Sequence, residues 1–216
     1  IALHTAQERL SSGLRINSSK DDATGLSIAT GFDSKIRGAN MNIRNANDGI
    51  SKAQINDGYL AQVTENTQRL REIYVQTGAV SNSEATALIA ENTRISGLTA
   101  NSVGVVVDAN GGTAGASGTA FTSATAFSNL AAFDTELTNI VTARAKYGAD
   151  MAALSSAVAS LQTASVNFSA SYSRVMDTDY AAETAAQAKN NILQQAGTAV
   201  LAQANQTPQS VLTLLR

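Results

Sequence analysis

Two carboxylate pairs, Asp21 with Asp22 and Asp177 with Asp179, are the residues of this chain whose types and spacing best suit general acid–base work. Both pairs stand where a helix is expected to begin. There a carboxylate caps free backbone N–H groups and meets the positive end of the helix dipole, so capping is their expected role. The only histidine, His4, has Glu8 one helical turn further on. It has no Cys and no second His with which to share a metal, and it is expected to face solvent. Gly111, Gly112, Gly115 and Gly118 lack the strand-to-helix context of a nucleotide-binding turn and read as a flexible loop. No G-x-S-x-G, P-loop, H-E-x-x-H or calcium-loop pattern occurs. Asn17-Ser18-Ser19, Asn167-Phe168-Ser169 and Asn205-Gln206-Thr207 match the glycosylation sequon, but two of them fall within predicted helices. The expectation is no catalytic site, no metal site and no cofactor.

The bulk composition narrows the partners. A net charge of −2 over 216 residues supplies no basic field for nucleic acid or for an anionic membrane surface. No apolar run approaches the roughly 20 residues needed to span a bilayer, and no basic-then-apolar secretion signal opens the chain. Secretion would need a dedicated route. The chain starts at Ile1 without Met, so an N-terminal stretch ahead of it is expected to be missing. With 44% hydrophobic residues, 5% aromatic and no Cys or Trp, the core must be built from Ala, Leu, Ile and Val without disulfides.

A single proline, Pro208, leaves room for very long helices, and the apolar spacing supplies them. Leu137, Met151, Val158 and Tyr172 interleave with Ile140, Tyr147, Leu154, Leu161, Phe168 and Val175 in a 3-4 spacing over five heptads, with Arg144 and Ser165 in the same stripe. That helix would run about 60 Å. Ile36, Ala39, Ile43, Ala46, Ile50, Ala53 and Leu60 keep the same spacing, which breaks at Asp57 and resumes in shifted phase at Val63, Leu70 and Ile73. The stripe from Leu137 to Val175 cannot offset its own ordering cost alone, so the two helices must pack together, with Leu154 and Leu161 buried against Ile43 and Ile50. Ser81 with Glu84 reads as a capping box and Gly97 as a stop, framing a third, shorter helix. From about residue 100 to about 125 the composition turns to Gly, Ala, Ser and Thr, and Val103, Val105, Val106 and Val107 precede Asn110-Gly111, which reads as a small hairpin and a loop. The last forty or so residues carry Leu193, Ala196, Val200, Leu201 and Ala204, then Val211, Leu212, Leu214 and Leu215, on an amphipathic helix in need of a partner. The fold class is mainly α: a long-helix coiled-coil rod with a small β-hairpin element and a terminal amphipathic helix.

Leu10-Ser11-Ser12-Gly13-Leu14-Arg15-Ile16-Asn17-Ser18, with Lys20-Asp21-Asp22-Ala23 and Gly25-Leu26, resembles the signature near the start of bacterial flagellins. Ile43-Arg44-Asn45-Ala46-Asn47-Asp48-Gly49-Ile50-Ser51, Ile192-Leu193-Gln194-Gln195-Ala196-Gly197-Thr198, Val200 to Gln206 and Val211 to Arg216 extend the likeness. It implies three regions: residues 1–20 as the remnant of an N-terminal helix and a connecting spoke, 21–176 as a helical rod with its β or loop element at about 100–125, and 177–216 as the C-terminal helix of a channel-lining domain. The family's variable outer domains would sit where this chain has only that short stretch, so the central region is very short or deleted.

The resemblance implies a structural subunit that self-assembles into the extracellular flagellar filament for motility. Its implied partners are other copies of the subunit, an export chaperone that grips the C-terminal helix, and the flagellar cap and junction proteins. It also implies recognition by an animal Toll-like receptor, carried here by Gln68, Arg69, Leu70, Arg71, Glu72 and Ile73 with Glu91. Read from the residues alone, Arg69 is paired with Glu65 four residues earlier, and Leu70 and Ile73 are core. A hook–filament junction protein shares the terminal helices, but the Leu10 to Ser18 signature favours flagellin. A filament-borne enzyme or adhesin would need an outer domain, and residues 100–125 are too short and too poor in polar chemistry to form one.

Overall fold

The computed structural model describes residues 2–99, 105–106, 113–114 and 121–214, and the side chains of 2–99 and 121–204 among them. The elements are α1 (Ala2–Ser12), α2 (Ala23–Thr77), α3 (Ser83–Leu98), β1 (Val105–Val106), β2 (Thr113–Ala114), α4 (Leu130–Met176) and α5 (Tyr180–Leu214). The chain is thus dominated by long helices, as the heptad spacing requires. Pro208 falls inside α5, where it removes one backbone donor from the helical ladder. β1 and β2 pair antiparallel, Val105 with Ala114 and Val106 with Thr113; Val103, Val107 and the Asn110-Gly111 turn lie outside the described residues.

The chain divides into two compact units, Lys35–Asn167 and Ile1–Ser34 with Phe168–Arg216, a division that falls inside α2 and α4 and not at residues 20/21 and 176/177. In Lys35–Asn167, α4 runs antiparallel to α2. Arg144 donates to both Asp57 carboxylate oxygens at 2.7 and 3.2 Å, and Ser165 donates to Asn40 at 3.3 Å. The polar break that Asp57 makes in one stripe is therefore matched by Arg144 in the other. An ion pair at this point penalises any slip in register, even though its partial exposure limits what it adds to stability.

The main core cluster joins Ala46, Ala53, Leu60 and Val63 of α2 to Ile140, Tyr147 and Leu154 of α4, with Ile95 of α3 and Phe121. The expected seam needs correcting here. On α2 the fully covered line is Ala39, Ala46 and Ala53, whereas Ile36, Ile43 and Ile50 are half-buried, and on α4 Leu154 is buried but Leu161 is only half-buried. α3 lies along the other end of the seam, with bonds to α2 at Asn66, Thr67 and Arg69. Beside Ile43 and Leu161 two helices share the seam without a third among the described residues, and a two-helix contact fully buries only its central line.

The phase shift after Leu60 also has a structural cause. Asn66 and Thr67 occupy the buried layer: the Asn66 amide donates to Asn92 Oδ1 at 2.8 Å, and the Asn92 amide donates to the Thr67 hydroxyl at 3.3 Å. These groups are satisfied by one another, which is what burial demands of them. Beyond them a second cluster packs Leu70, Ile73, Ala85, Phe127 and Phe133, with Phe127 stacked on Phe133 at 4.4 Å. Glu136 holds the segment entering α4, accepting bonds from the Ala124 N–H at 2.9 Å and the Ser123 hydroxyl at 3.1 Å.

Two expected helix signals are replaced by neighbours. The N-cap of α3 is Asn82, which accepts from the Ala85 N–H, and no Ser81–Glu84 box forms because Glu84 turns to Arg69. Gly97 lies within α3, which ends instead at Thr99 in a right-handed conformation with its hydroxyl bonded to the Ser96 carbonyl.

The unit Ile1–Ser34 with Phe168–Arg216 is built where four helix ends meet. Gly13, at φ +72, closes α1 by donating to the Arg9 carbonyl, a conformation that suits glycine. The chain then runs beside the end of α4. Arg15 N–H donates to the Met176 carbonyl at 2.6 Å, Thr178 N–H donates to the Gly13 carbonyl at 3.0 Å, and Leu14 bridges Asp177. Ile16 is buried with Ala29 and Met176. It reaches that place because Gly25 has no side chain: a Cβ there would stand 2.7 Å from Ile16 Cδ1 and nearer still to the Asp22 carboxylate.

Candidate assembly and recognition surfaces

Three of the four candidate acid–base carboxylates are occupied with backbone N–H groups. Asp22 caps α2 through the Gly25 N–H at 2.8 Å, and Asp179 caps α5 through the N–H groups of Ala181 and Ala182. Asp21 does not cap α2 as expected but accepts the N–H groups of Asn17 and Ser18 in the preceding turn at 3.1 and 3.0 Å, and these bonds hold its carboxyl below the ordinary carboxylate value. Asp177 departs from the expectation: it sits at the end of α4 and accepts the Ser173 hydroxyl instead of capping α5. His4 is exposed beside Glu8 at 3.6 Å. Among the described residues no three His, Cys, Asp or Glu side chains are grouped to hold a metal, and no helix is long and apolar enough to cross a membrane.

What remains are surfaces. On α2, Gln68, Arg69, Arg71 and Glu72 face outward, while Leu70 and Ile73 are in the second core cluster and supply the packing beneath that face. Arg69 does not pair with Glu65. Its Nε donates to Glu84 on α3 at 2.8 Å and its Nη1 to Glu72 at 3.1 Å, and these carboxylates hold the guanidinium above its ordinary pKa. Arg71 lies 3.4 Å from Asp134 of α4. Glu91, half-exposed on α3, accepts two bonds from Arg94 at 2.8 and 2.6 Å, which lower its pKa. Glu84 and Asp134 were not legible as partners, because each meets its arginine only through tertiary packing.

The second surface is on α5. Its first turns pack against α1, where Tyr180 donates to the Leu10 carbonyl at 2.9 Å, Arg9 pairs with Glu183 at 3.6 Å, and Ala6 is buried. The partly covered residues of α5 there are Glu183, Ala186, Gln187 and Asn190. Seven residues on, the same stripe continues in phase as Leu193, Gly197, Val200, Leu201 and Ala204, all of them exposed, with Val200 at 66% and Leu201 at 65%. Ala196 and Ile192 lie beside it, also exposed. The side chains of Val211, Leu212, Leu214 and Leu215 lie outside the described residues.

Residues 2–113 match the family model of the bacterial flagellin N-terminal helical region, and residues 130–215 that of the bacterial flagellin C-terminal helical region. The chain is 36% identical to a flagellin of Halalkalibacterium halodurans over 98% of its own length and 91% of that protein's. It is 34% identical to the flagellar filament 33 kDa core protein of Treponema phagedenis over 100% and 93% of the two lengths. A flagellin of Escherichia coli K12 is 55% identical over 84 residues, which cover 39% of this chain and 17% of that one. Two family regions at its two ends, and relatives matched across nearly their whole length, place this chain in the bacterial flagellin family as a structural subunit of the flagellar filament.

Proposed function

We propose that the uncovered heptad face of α5 is the surface by which copies of this chain join in the filament, and that an export chaperone covers the same face beforehand. One observation carries this reading: the stripe that α1 covers up to Asn190 continues in register through Leu193, Gly197, Val200, Leu201 and Ala204 with nothing against it among the described residues. A helix bearing several exposed large apolar side chains in one line gains most by packing against another helix, and identical copies supply one repeatedly. The chain's role is structural and not catalytic. It travels outward by the flagellar export route, and its filament meets cap and junction proteins at its two ends. The test is the double substitution Val200→Asp with Leu201→Asp. Negative-stain microscopy is expected to show no filaments under conditions in which the unaltered chain forms them, while the thermal melt of the helical unit Lys35–Asn167 stays unchanged. Filaments from the double variant would overturn the assignment.

A second reading concerns Arg69. Its guanidinium is exposed and pinned at one position by Glu84 and Glu72, in a row with Gln68 and Arg71. A preset cationic group of this kind suits recognition by another protein, and we assign it to the animal Toll-like receptor, with Glu91 on the neighbouring helix as part of the contact and Leu70 and Ile73 acting from beneath. Arg69→Ala is expected to lower receptor signalling roughly tenfold in a cell reporter assay, the loss of one good charged contact. Signalling equal to that of an active unaltered chain would remove Arg69 from the contact.

A further inference from the structure

The residues that tie α1 to α5 directly make a weak and unspecific pair. α1 buries Ala6 alone, the Arg9–Glu183 ion pair stands at 3.6 Å, the Tyr180 hydroxyl gives one bond to the Leu10 carbonyl, and the facing stripe of α5 is Glu183, Ala186, Gln187 and Asn190. These contacts do not by themselves select the observed register over one slipped by a heptad, since the slip would set Leu193 and Gly197 against α1 where Ala186 and Asn190 stand and would bury more apolar surface. Register must come from elsewhere, and the neighbouring backbone supplies it. Residues 13–15 and 176–178 are joined by the Arg15 N–H to Met176 carbonyl bond at 2.6 Å and the Thr178 N–H to Gly13 carbonyl bond at 3.0 Å. The Arg15 guanidinium adds a bond to the Val175 carbonyl at 2.8 Å, occupying a carbonyl that the end of α4 leaves free. Ile16 anchors the same strand by burial beside Met176. Gly13 directly follows α1, and only three residues separate α4 from α5, so α1 ends and α5 starts at fixed distances from these bonds.

We propose that this short ladder is a latch: closed, it sets the register in which α1 and α5 pair, and so the phase in which α5 presents its uncovered face. The last part rests on the assembly reading above; the register itself does not. The latch explains why the Leu10 to Ser18 segment combines an obligatory left-handed glycine, a long cation and a buried isoleucine in consecutive turns of chain. It also makes the pairing of the two terminal helices depend on contacts 160 residues apart in sequence, so the pair cannot form in its register before both ends of the chain are present.

The test uses the full chain, whose lack of cysteine makes introduced thiols unambiguous reporters. Arg9→Cys with Glu183→Cys reads the observed register by disulfide formation under mild oxidation, and Arg9→Cys with Asn190→Cys reads a slip of one heptad. In an otherwise unaltered chain the first pair is expected to cross-link and the second not. Adding Gly13→Val or Arg15→Ala is expected to slow the first cross-link about tenfold, the weight of roughly one or two lost hydrogen bonds, with Arg15→Lys intermediate. Amide exchange across Leu60 to Leu70 should stay slow in all of them, showing that the variants still fold; if Gly13→Val does not, the two Arg15 variants decide. Unchanged rates for the 9–183 pair in the latch variants would overturn the proposal. Cross-linking is measured on dispersed chains, so failure of the latch and failure of the assembly face, read from Val200→Asp with Leu201→Asp, are told apart.

Discussion

Replacing Leu154 with Ala is expected to lower the unfolding free energy by about 3–4 kcal/mol, and replacing Leu161 with Ala by only about 1–2 kcal/mol. Both leucines belong to the same heptad stripe, one turn of the repeat apart, and a reading by pattern alone assigns them equal weight. The structure separates them. Leu154 is fully buried in the cluster with Ala46, Ala53 and Tyr147, so truncation leaves a cavity lined by side chains that cannot collapse into it. Leu161 keeps part of its surface in water, where truncation loses less transfer energy and leaves an opening that solvent fills. Circular-dichroism melts or denaturant titrations of the two variants check this. Equal losses would mean that the seam closes as tightly at Leu161 as at Leu154 and that the two-helix account is mistaken.

Phe133→Ala should cost about 3–5 kcal/mol. Phe133 is completely buried, stacked on Phe127 at 4.4 Å and in tilted contact with Tyr74 at 5.5 Å, so the substitution removes both the burial and the ring contacts. It also removes the side chain that holds the 121–129 segment against the second cluster. Because Phe133 and Leu154 belong to separate clusters, the double variant should lose the sum of the two single losses to within about 0.5 kcal/mol. A clearly smaller loss would show that the clusters act as one.

The fold class was open to reading because a coiled coil writes its geometry into the spacing of its apolar residues. A 3-4 repeat over five heptads has one structural solution, and length follows from the absence of helix breakers. The capping roles of Asp22 and Asp179 were legible for a similar reason, since a cap is a local relation spanning two or three residues. Local rules failed where a residue had a distant competitor. Glu84 would complete a capping box with Ser81, but Arg69 on the neighbouring helix offers a charged partner at 2.8 Å, and Asn82 takes the cap. Arg69 likewise passes over Glu65, its expected partner one turn away.

The sequence by itself determined that this chain is a set of long, packed helices with an unsatisfied apolar stripe at its C-terminal end, and the signature from Leu10 to Ser18 identified its family. Periodicity and contiguous motifs are properties of one strand of chain and need no partner to be read. Tertiary structure alone decided which face of each stripe is covered, which charges meet, and what the signature does physically. Burial depends on how many helices stand around a position: three beside Leu60 and two beside Leu161, which no one-dimensional repeat records. Asp57 with Arg144, Asn66 with Asn92, and Arg15 with Val175 lie 87, 26 and 160 residues apart. Each such pair lowers the free energy only after the intervening chain has been brought back on itself, so its existence is a consequence of the completed fold and not of either residue's neighbours.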